Sequence, residues 1–227
     1  MYDFSDAITP PFISEEDSEK LKIKFDGVEN FTQNYSQAHQ DLFVLSILNG
    51  KQNGTYVEIG GAHPINISNT YLLEKYFGWY GIAFEIDCER VDYYNEKRKN
   101  KCICGDATNL DYSKIFKENN LPKQIDYLQV DIEPAWQTFE SLKQIDLDTY
   151  RFSVITFETD TYMSENKNIV IESRNLLERY GYKLISKNVK TNTWPFEDWY
   201  IDPLIVSENV YSQFYSDGLE SIDVLYK

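Results

Sequence analysis

Histidine, methionine and cysteine are scarce in this 227-residue chain, at two, two and three residues. Cys88, Cys102 and Cys104 are too few and too close together for a disulfide framework, and no second Cys or His pair completes a zinc set around Cys102-x-Cys104. They are expected as buried or half-buried thiols of a reducing compartment. MYDFSDAITPPFISEEDSEK contains no basic leader and no apolar signal core, and no run of about 18 apolar residues occurs. The expectation is a cytoplasmic protein without membrane insertion. Basic charge is also short, with 22 Lys and Arg against 37 Asp and Glu, a net charge of −15. Nucleic acid needs a basic footprint. The densest basic cluster, KRKNK at 97–101, falls at a predicted helix end, where cations complement the helix dipole. Nucleic acid is therefore not an expected partner.

What the chain has is apolar and aromatic material: 42% hydrophobic residues, with 18 Tyr, 13 Phe and 4 Trp. A domain of this length buries roughly 70% of its unfolded surface. Residues 1–35 are polar and weakly periodic and read as an N-terminal arm. The arm would pack on the domain or on a partner subunit, which leaves a homo-oligomer open. Residues 36–227 read as one domain. SQAHQDLFVLSILNG at 36–50 predicts a helix ended by Gly50. From Thr55 onward short apolar runs alternate with helical patterns. The predicted strands are TYVEIG, YGIAFEID, KCICGDA, IDYLQVDIE, RFSVITFETD, YKLISKNV and WYIDPLIV. Such alternation makes an α/β fold, a doubly wound, mostly parallel seven-stranded sheet. The short KTNTWPFED connection makes the last strand antiparallel.

The stretch GTYVEIGGAHPINISNT at 54–70 is a strand, a glycine turn and a helix start, the usual opening of a nucleotide site. The third glycine of a dinucleotide loop is missing. Glu58, two residues before Gly60-Gly61, would repel a pyrophosphate and attract a sulfonium or an amino group. S-adenosylmethionine carries both. Glu85 ends the second strand, where a carboxylate accepts hydrogen bonds from ribose hydroxyls. Asp106-Ala107 ends the third, where an aspartate takes the adenine amino group.

SQAHQD at 36–41, YVEIGG at 56–61, SNTYLLEKYFGWYGIAFEID at 68–87, GDAT at 105–108, IDYLQVDIE at 125–133 and ITFETD at 155–160 occur in that order. Over about residues 36–206 the chain resembles the FkbM-type methyltransferases. The resemblance implies a Rossmann-like class I methyltransferase domain and S-adenosylmethionine-dependent O-methylation, often of sugar hydroxyls for natural products or surface polysaccharides. It implies cofactor roles for Glu58, Gly60, Glu85 and Asp106, beside which Gly61 and Ala107 complete the expected cofactor set. It also has Gln40 and Asp41 closing the cofactor site, and Ser68 and Asn69 anchoring the loop. Three places depart from the family pattern. Asp131-Ile132-Glu133-Pro134 lacks the glycine of D-x-E-G, Glu158-Thr159-Asp160 lacks a histidine, and Ala62-His63-Pro64 supplies one elsewhere.

With the strand order usual for this fold, 3-2-1-4-5-7-6, His63, Asp131, Glu133 and Glu158 converge from three adjacent strand tips. Two mechanisms fit. His63 is the general base with Asp131 orienting it, or Asp131, Glu133 and Glu158 hold Mg²⁺ or Mn²⁺. The cation facing Asp131 could also be the sulfonium. In WPFEDWYIDP at 194–203, Trp194, Glu197, Asp198 and Trp199 pair aromatic faces with acids, as a sugar site does. The expected acceptor is a nucleotide-activated sugar, with Lys167, Arg174 or Lys187 meeting its diphosphate. A non-sugar O- or N-acceptor, an inactive cofactor-binding module and an NAD enzyme are the alternatives.

Overall fold

The computed structural model describes residues 15–227. In chain order the elements are α1 (Glu15–Lys20), α2 (Gln40–Ile47), β1 (Thr55–Ile59), α3 (Tyr71–Phe77), β2 (Tyr80–Glu85), α4 (Cys88–Lys97) and β3 (Lys101–Cys104). There follow α5 (Tyr112–Glu118), β4 (Gln124–Val130), α6 (Ala135–Lys143), β5 (Arg151–Glu158), α7 (Lys167–Arg179), β6 (Lys183–Thr191) and β7 (Trp194–Ile201). The chain closes with α8 (Glu208–Tyr211), β8 (Ser216–Asp217) and α9 (Ser221–Leu225).

The strands form one sheet in the order β3-β2-β1-β4-β5-β7-β6-β8. β3, β2, β1, β4 and β5 run parallel, whereas β7 is antiparallel to both β5 and β6. The seven expected strands are present, and a two-residue β8 extends the edge beside β6. Alternation along the central strands divides the core. Tyr56 and Tyr127 enter the cluster on one face with α2 and α3, while Val57, Ile59, Leu128 and Val130 enter the other. No helix among the described residues is long and apolar enough to cross a membrane.

Three sequence expectations change. The final large strand lies at 194–201 rather than 199–206. Asn192 and Thr193, at φ 51° and 74°, form a two-residue hairpin turn after β6, so β7 begins at Trp194. It ends because Asp202 turns the chain: its carbonyl accepts the Ile205 and Val206 amides, its carboxylate pairs with Arg151 at 2.7 Å, and Pro203 has no amide for a ladder. Secondly, Cys88 and Cys104 are disulfide-bonded, with Cα atoms 5.1 Å apart, and Cys102 is the free, buried thiol. Glu85 pairs with Cys104 across β2 and β3 and α4 starts three residues after Glu85, which brings the sulfurs together.

Thirdly, the stretch before residue 35 is not merely polar. Leu21, Phe25, Val28 and Phe31 are buried in the first core cluster, and Leu21 bridges Tyr226 near the other end of the chain. Their spacing follows a loop, so no helical or strand period announces them. The part of the expected arm before residue 15 lies outside the described residues.

The β1 turn is set by one glycine. Gly60 has φ 96°, and a Cβ there would overlap the Asp131 carbonyl oxygen. Its amide and that of Gly61 both donate to the Phe84 carbonyl, at 3.0 and 2.8 Å, while the Asp131 amide donates to Ile59. The turn is thus wedged between the tips of β2 and β4. Gly60→Ala should lower unfolding free energy by at least about 2 kcal/mol. Urea denaturation checks this, and an unchanged midpoint would refute the close packing.

Candidate active site

A cavity of about 700 Å³ opens at the carboxyl ends of β1, β2, β4 and β5, the ligand side of a doubly wound sheet. Among the sequence-predicted residues, Glu58, Gly60, Gly61 and Asn69 line it from the β1 side, and Glu85, Asp106 and Ala107 from β2 and β3. Asp131, Glu133, Glu158 and Trp194 complete it from β4, β5 and the β6–β7 turn. Gln40, Asp41, His63, Ser68, Glu197, Asp198 and Trp199 do not line it.

The β1 wall is built around a buried guanidinium. Arg98 donates through Nε to Glu74 Oε2 at 2.9 Å, through Nη1 to the Pro64 carbonyl and Ser68 Oγ at 2.9 and 3.2 Å, and through Nη2 to Tyr56 OH and Thr70 Oγ1 at 3.1 Å each. Thr70 Oγ1 and Tyr94 OH in turn donate to Glu58 Oε2, both at 2.9 Å. Burial pushes the Glu58 carboxyl up, and the Arg98 charge opposes that shift. Glu58 reaches the cavity but holds the β1 wall through this oxygen. Ser68 Oγ also accepts the Tyr71 amide at 3.2 Å, tying the loop to the start of α3.

His63 sits in the following turn. Its Nδ1 accepts the Ile65 and Asn66 amides at 3.1 and 2.9 Å, and its ring meets Tyr93 edge-on. Desolvation pushes its pKa down, which suits an acceptor nitrogen. His63 thus closes its turn through Nδ1, and it is not among the residues that line the cavity.

At the β2 tip, Glu85 accepts the Ala62 amide through Oε2 and the Asp87 amide through Oε1, both at 3.0 Å. This clamps the carboxylate in place with its remaining lone pairs available. Asp106, at the β3 tip, accepts the Thr108 amide and hydroxyl at 2.9 and 2.7 Å; the hydroxyl bond is the main cause of its lowered pKa.

Asp131 and Glu158 face each other because Val130 pairs with Phe157 across the parallel β4 and β5. Their carboxyls are close enough to perturb each other's ionisation. Burial, then the Asp131 charge, pushes Glu158 up to about 12, so this pair keeps one proton at neutral pH. Asp160 is pushed up to about 6 by burial and by the charges of Asp131 and Glu133. Among the described residues no group of three or more His, Cys, Asp or Glu is arranged to hold a metal ion. The expected Asp131–Glu133–Glu158 metal set is not formed among the described residues.

Among the described residues, three buried polar atoms on the cavity wall have no protein partner: Asn69 Oδ1, Gln129 Oε1 and Glu158 Oε2. Buried acceptors are normally paired, so these are positions where a ligand donor would be stabilised. Gln129 was legible as a polar residue inside the apolar strand IDYLQV, a signal the strand pattern masked.

The aromatic–acid stretch splits in two. Trp194 is 58% exposed and meets Tyr162 edge-on, with ring centroids 5.3 Å apart at the cavity rim. Trp199 is fully buried and stacked on Phe43, and Asp198 pairs with Arg174 at 2.7 and 3.0 Å. Glu197 is buried, accepting from Gln40 Nε2 at 3.1 Å and from the Trp199 indole. Asp41 accepts the Tyr35 and Ser36 amides behind the site. Glu197, Asp198 and Trp199 are thus corrected from substrate contacts to core residues, because alternate positions of an interior strand are covered on both faces. Sequence reasoning missed Tyr162, whose neighbours carry no periodic pattern. Lys167, Arg174 and Lys187 do not line the cavity; Lys187 pairs with Asp217 at 3.0 Å.

No protein-family model matches the chain, and neither does any curated protein sequence. Solved structures do match. A candidate rRNA methylase from Clostridium thermocellum is similar with a TM-score of 0.52 and 14% identity, over 75% of this chain and 97% of that one. The METTL16 methyltransferase domain gives 0.45 and 15%, over 71% and 78%, and human methyltransferase 10 domain containing protein 0.46 and 14%, over 81% and 90%. Together with the strand order, the first of these likenesses gives the chain the Rossmann-like fold of class I methyltransferases.

Glu158 keeps its proton in the folded protein but loses it on unfolding, so stability falls as pH rises from the ordinary carboxyl range toward about 12. Glu158→Gln removes that dependence. Urea titrations at about pH 5.5 and 8 should show the variant gaining roughly 1–3 kcal/mol on the parent across the interval. A difference that does not change with pH would show Glu158 to be ionised in the fold.

Proposed function

We propose that this chain is an S-adenosylmethionine-dependent methyltransferase acting on a hydroxyl of a small sugar-like acceptor. The observation that carries this reading is the cavity at the strand tips, which runs from the Gly60 turn and Glu85 to the facing carboxyls of Asp131 and Glu158. The residues fit the cofactor. Glu85 is fixed to receive ribose hydroxyls, Asp106 and Ala107 border the adenine side, and the unpaired Asn69 and Gln129 oxygens await donors. When bound, the cofactor supplies an activated methyl group with a sulfide leaving group.

The chain's own residues then have one task, to orient the acceptor and manage its proton. Glu158 retains its proton and donates to Asp131, which keeps the Asp131 carboxylate turned toward the cavity. Asp131 accepts the hydrogen bond of the acceptor hydroxyl and takes its proton as the new C–O bond forms. Trp194 and Tyr162 offer aromatic faces to a sugar ring at the rim.

The sugar assignment rests on the FkbM-type resemblance together with that aromatic rim. A diphosphate does not suit the cavity: among the described residues seven carboxyl side chains line it against one guanidinium, Arg90, which pairs with Asp87 at 3.7 Å. The sugar is accordingly read as unphosphorylated where it enters.

With radiolabelled S-adenosylmethionine and an accepted sugar, Asp131→Asn should lower turnover about 10²-fold or more. His63→Ala should instead cost about 1–3 kcal/mol of stability through its lost acceptor and leave turnover near the parental value. The reverse pattern would restore His63 as the base and sink the role given to Asp131.

A further inference from the structure

The charges of the cavity do not balance, and the excess is local. Glu58 has Arg98 beside it, and Asp131 and Glu158 share a proton. Glu85 and Asp106 occupy the far end, at the tips of β2 and β3. Glu133 and Asp160 remain, on the loops after β4 and β5, and each lines the cavity. Tyr162, near Asp160, and Trp194, in ring contact with Tyr162, line the cavity with them, 39% and 58% exposed.

We propose that Glu133, Asp160, Tyr162 and Trp194 form a subsite for an ammonium group, so that the acceptor is an amino-bearing polyol such as an amino sugar. This rests on the methyltransferase reading and names its substrate class. Two carboxylates give an ammonium charge-assisted hydrogen bonds, and aromatic faces attract it through their quadrupoles. An independent feature points to a ligand at this end: Glu158 Oε2, in a residue only 7% exposed, has no partner and lies on the same wall. A polyol seated by its ammonium group would present hydroxyls to that oxygen and to Asp131. The raised pKa of Asp160, caused by burial and by Asp131 and Glu133, is what such a site shows without its cation. A neutral N-acyl group or a phosphate would leave both carboxylates uncompensated.

Calorimetry on the full chain saturated with S-adenosylhomocysteine tests this, using glucosamine, N-acetylglucosamine and glucose 1-phosphate at about pH 6.5, below the ordinary range of amines. Glucosamine should bind at least about tenfold more tightly than either of the others, the scale of one charged hydrogen bond. Asp160→Asn and Glu133→Gln should each remove about tenfold of that affinity while leaving S-adenosylhomocysteine binding unchanged. Equal binding of glucosamine and N-acetylglucosamine, or no glucosamine binding to the loaded protein, would overturn the subsite and leave the cofactor reading intact. The subsite is likewise overturned if the two variants weaken S-adenosylhomocysteine instead, because the carboxylates would then serve the cofactor. Failure of the parent to bind S-adenosylhomocysteine would bring down the cofactor reading, and this one with it.

Discussion

The guanidinium of Arg98 is the interaction on which the site's geometry depends. One fully buried side chain ties β1 through Tyr56, the following loop through Pro64 and Ser68, and α3 through Thr70 and Glu74. Its own position at the end of α4 adds a fourth segment. A buried charge is tolerable only when its donors are satisfied, and five partners satisfy this one. Glu58 is the complementary charge, reached through Thr70 and Tyr94 rather than directly. Removing Arg98 would strand two buried carboxylates, Glu58 and Glu74, so the loop that shapes the cavity cannot be separated from the core that stabilises it.

From that wall the cavity runs toward progressively less compensated acids. Glu58 has a buried cation nearby, Asp131 and Glu158 face each other across β4 and β5, and Asp160 feels the charges of Asp131 and Glu133 with only Tyr162 to oppose them. Sheet topology produces the sequence of environments, because β1, β4 and β5 are neighbours whose tips end side by side. An acid-rich cavity of this kind attracts cationic ligands.

Much of the fold was legible because its elements follow simple periods. TYVEI, YGIAFE and QIDYLQV are apolar runs with short helical connections, and the sheet order followed from that alternation. The end of the last large strand was misplaced because Asp202, which turns the chain, forms its ion pair with Arg151, fifty-one residues away. The lining of the cavity was legible where a residue's place on a strand tip decides its position, as for Glu85, Asp106, Asp131 and Glu158. It was not legible where long-range partners decide. Arg98 read only as one cation of a basic cluster at a helix end, and Asp198 and Trp199 as sugar contacts, because sequence spacing shows neither burial nor hydrogen-bond partners. The disulfide was missed for the same reason: Cys88 and Cys104 are sixteen residues apart in sequence and adjacent only through the β2–β3 register.

The central claim is that the cavity at the β1, β2, β4 and β5 tips is built for S-adenosylmethionine. Isothermal calorimetry with S-adenosylhomocysteine, alongside NADH, tests it most directly. S-adenosylhomocysteine should bind saturably with one site per chain, and NADH, whose pyrophosphate would meet the acid-rich wall, should not bind. Binding of NADH without S-adenosylhomocysteine would contradict the claim.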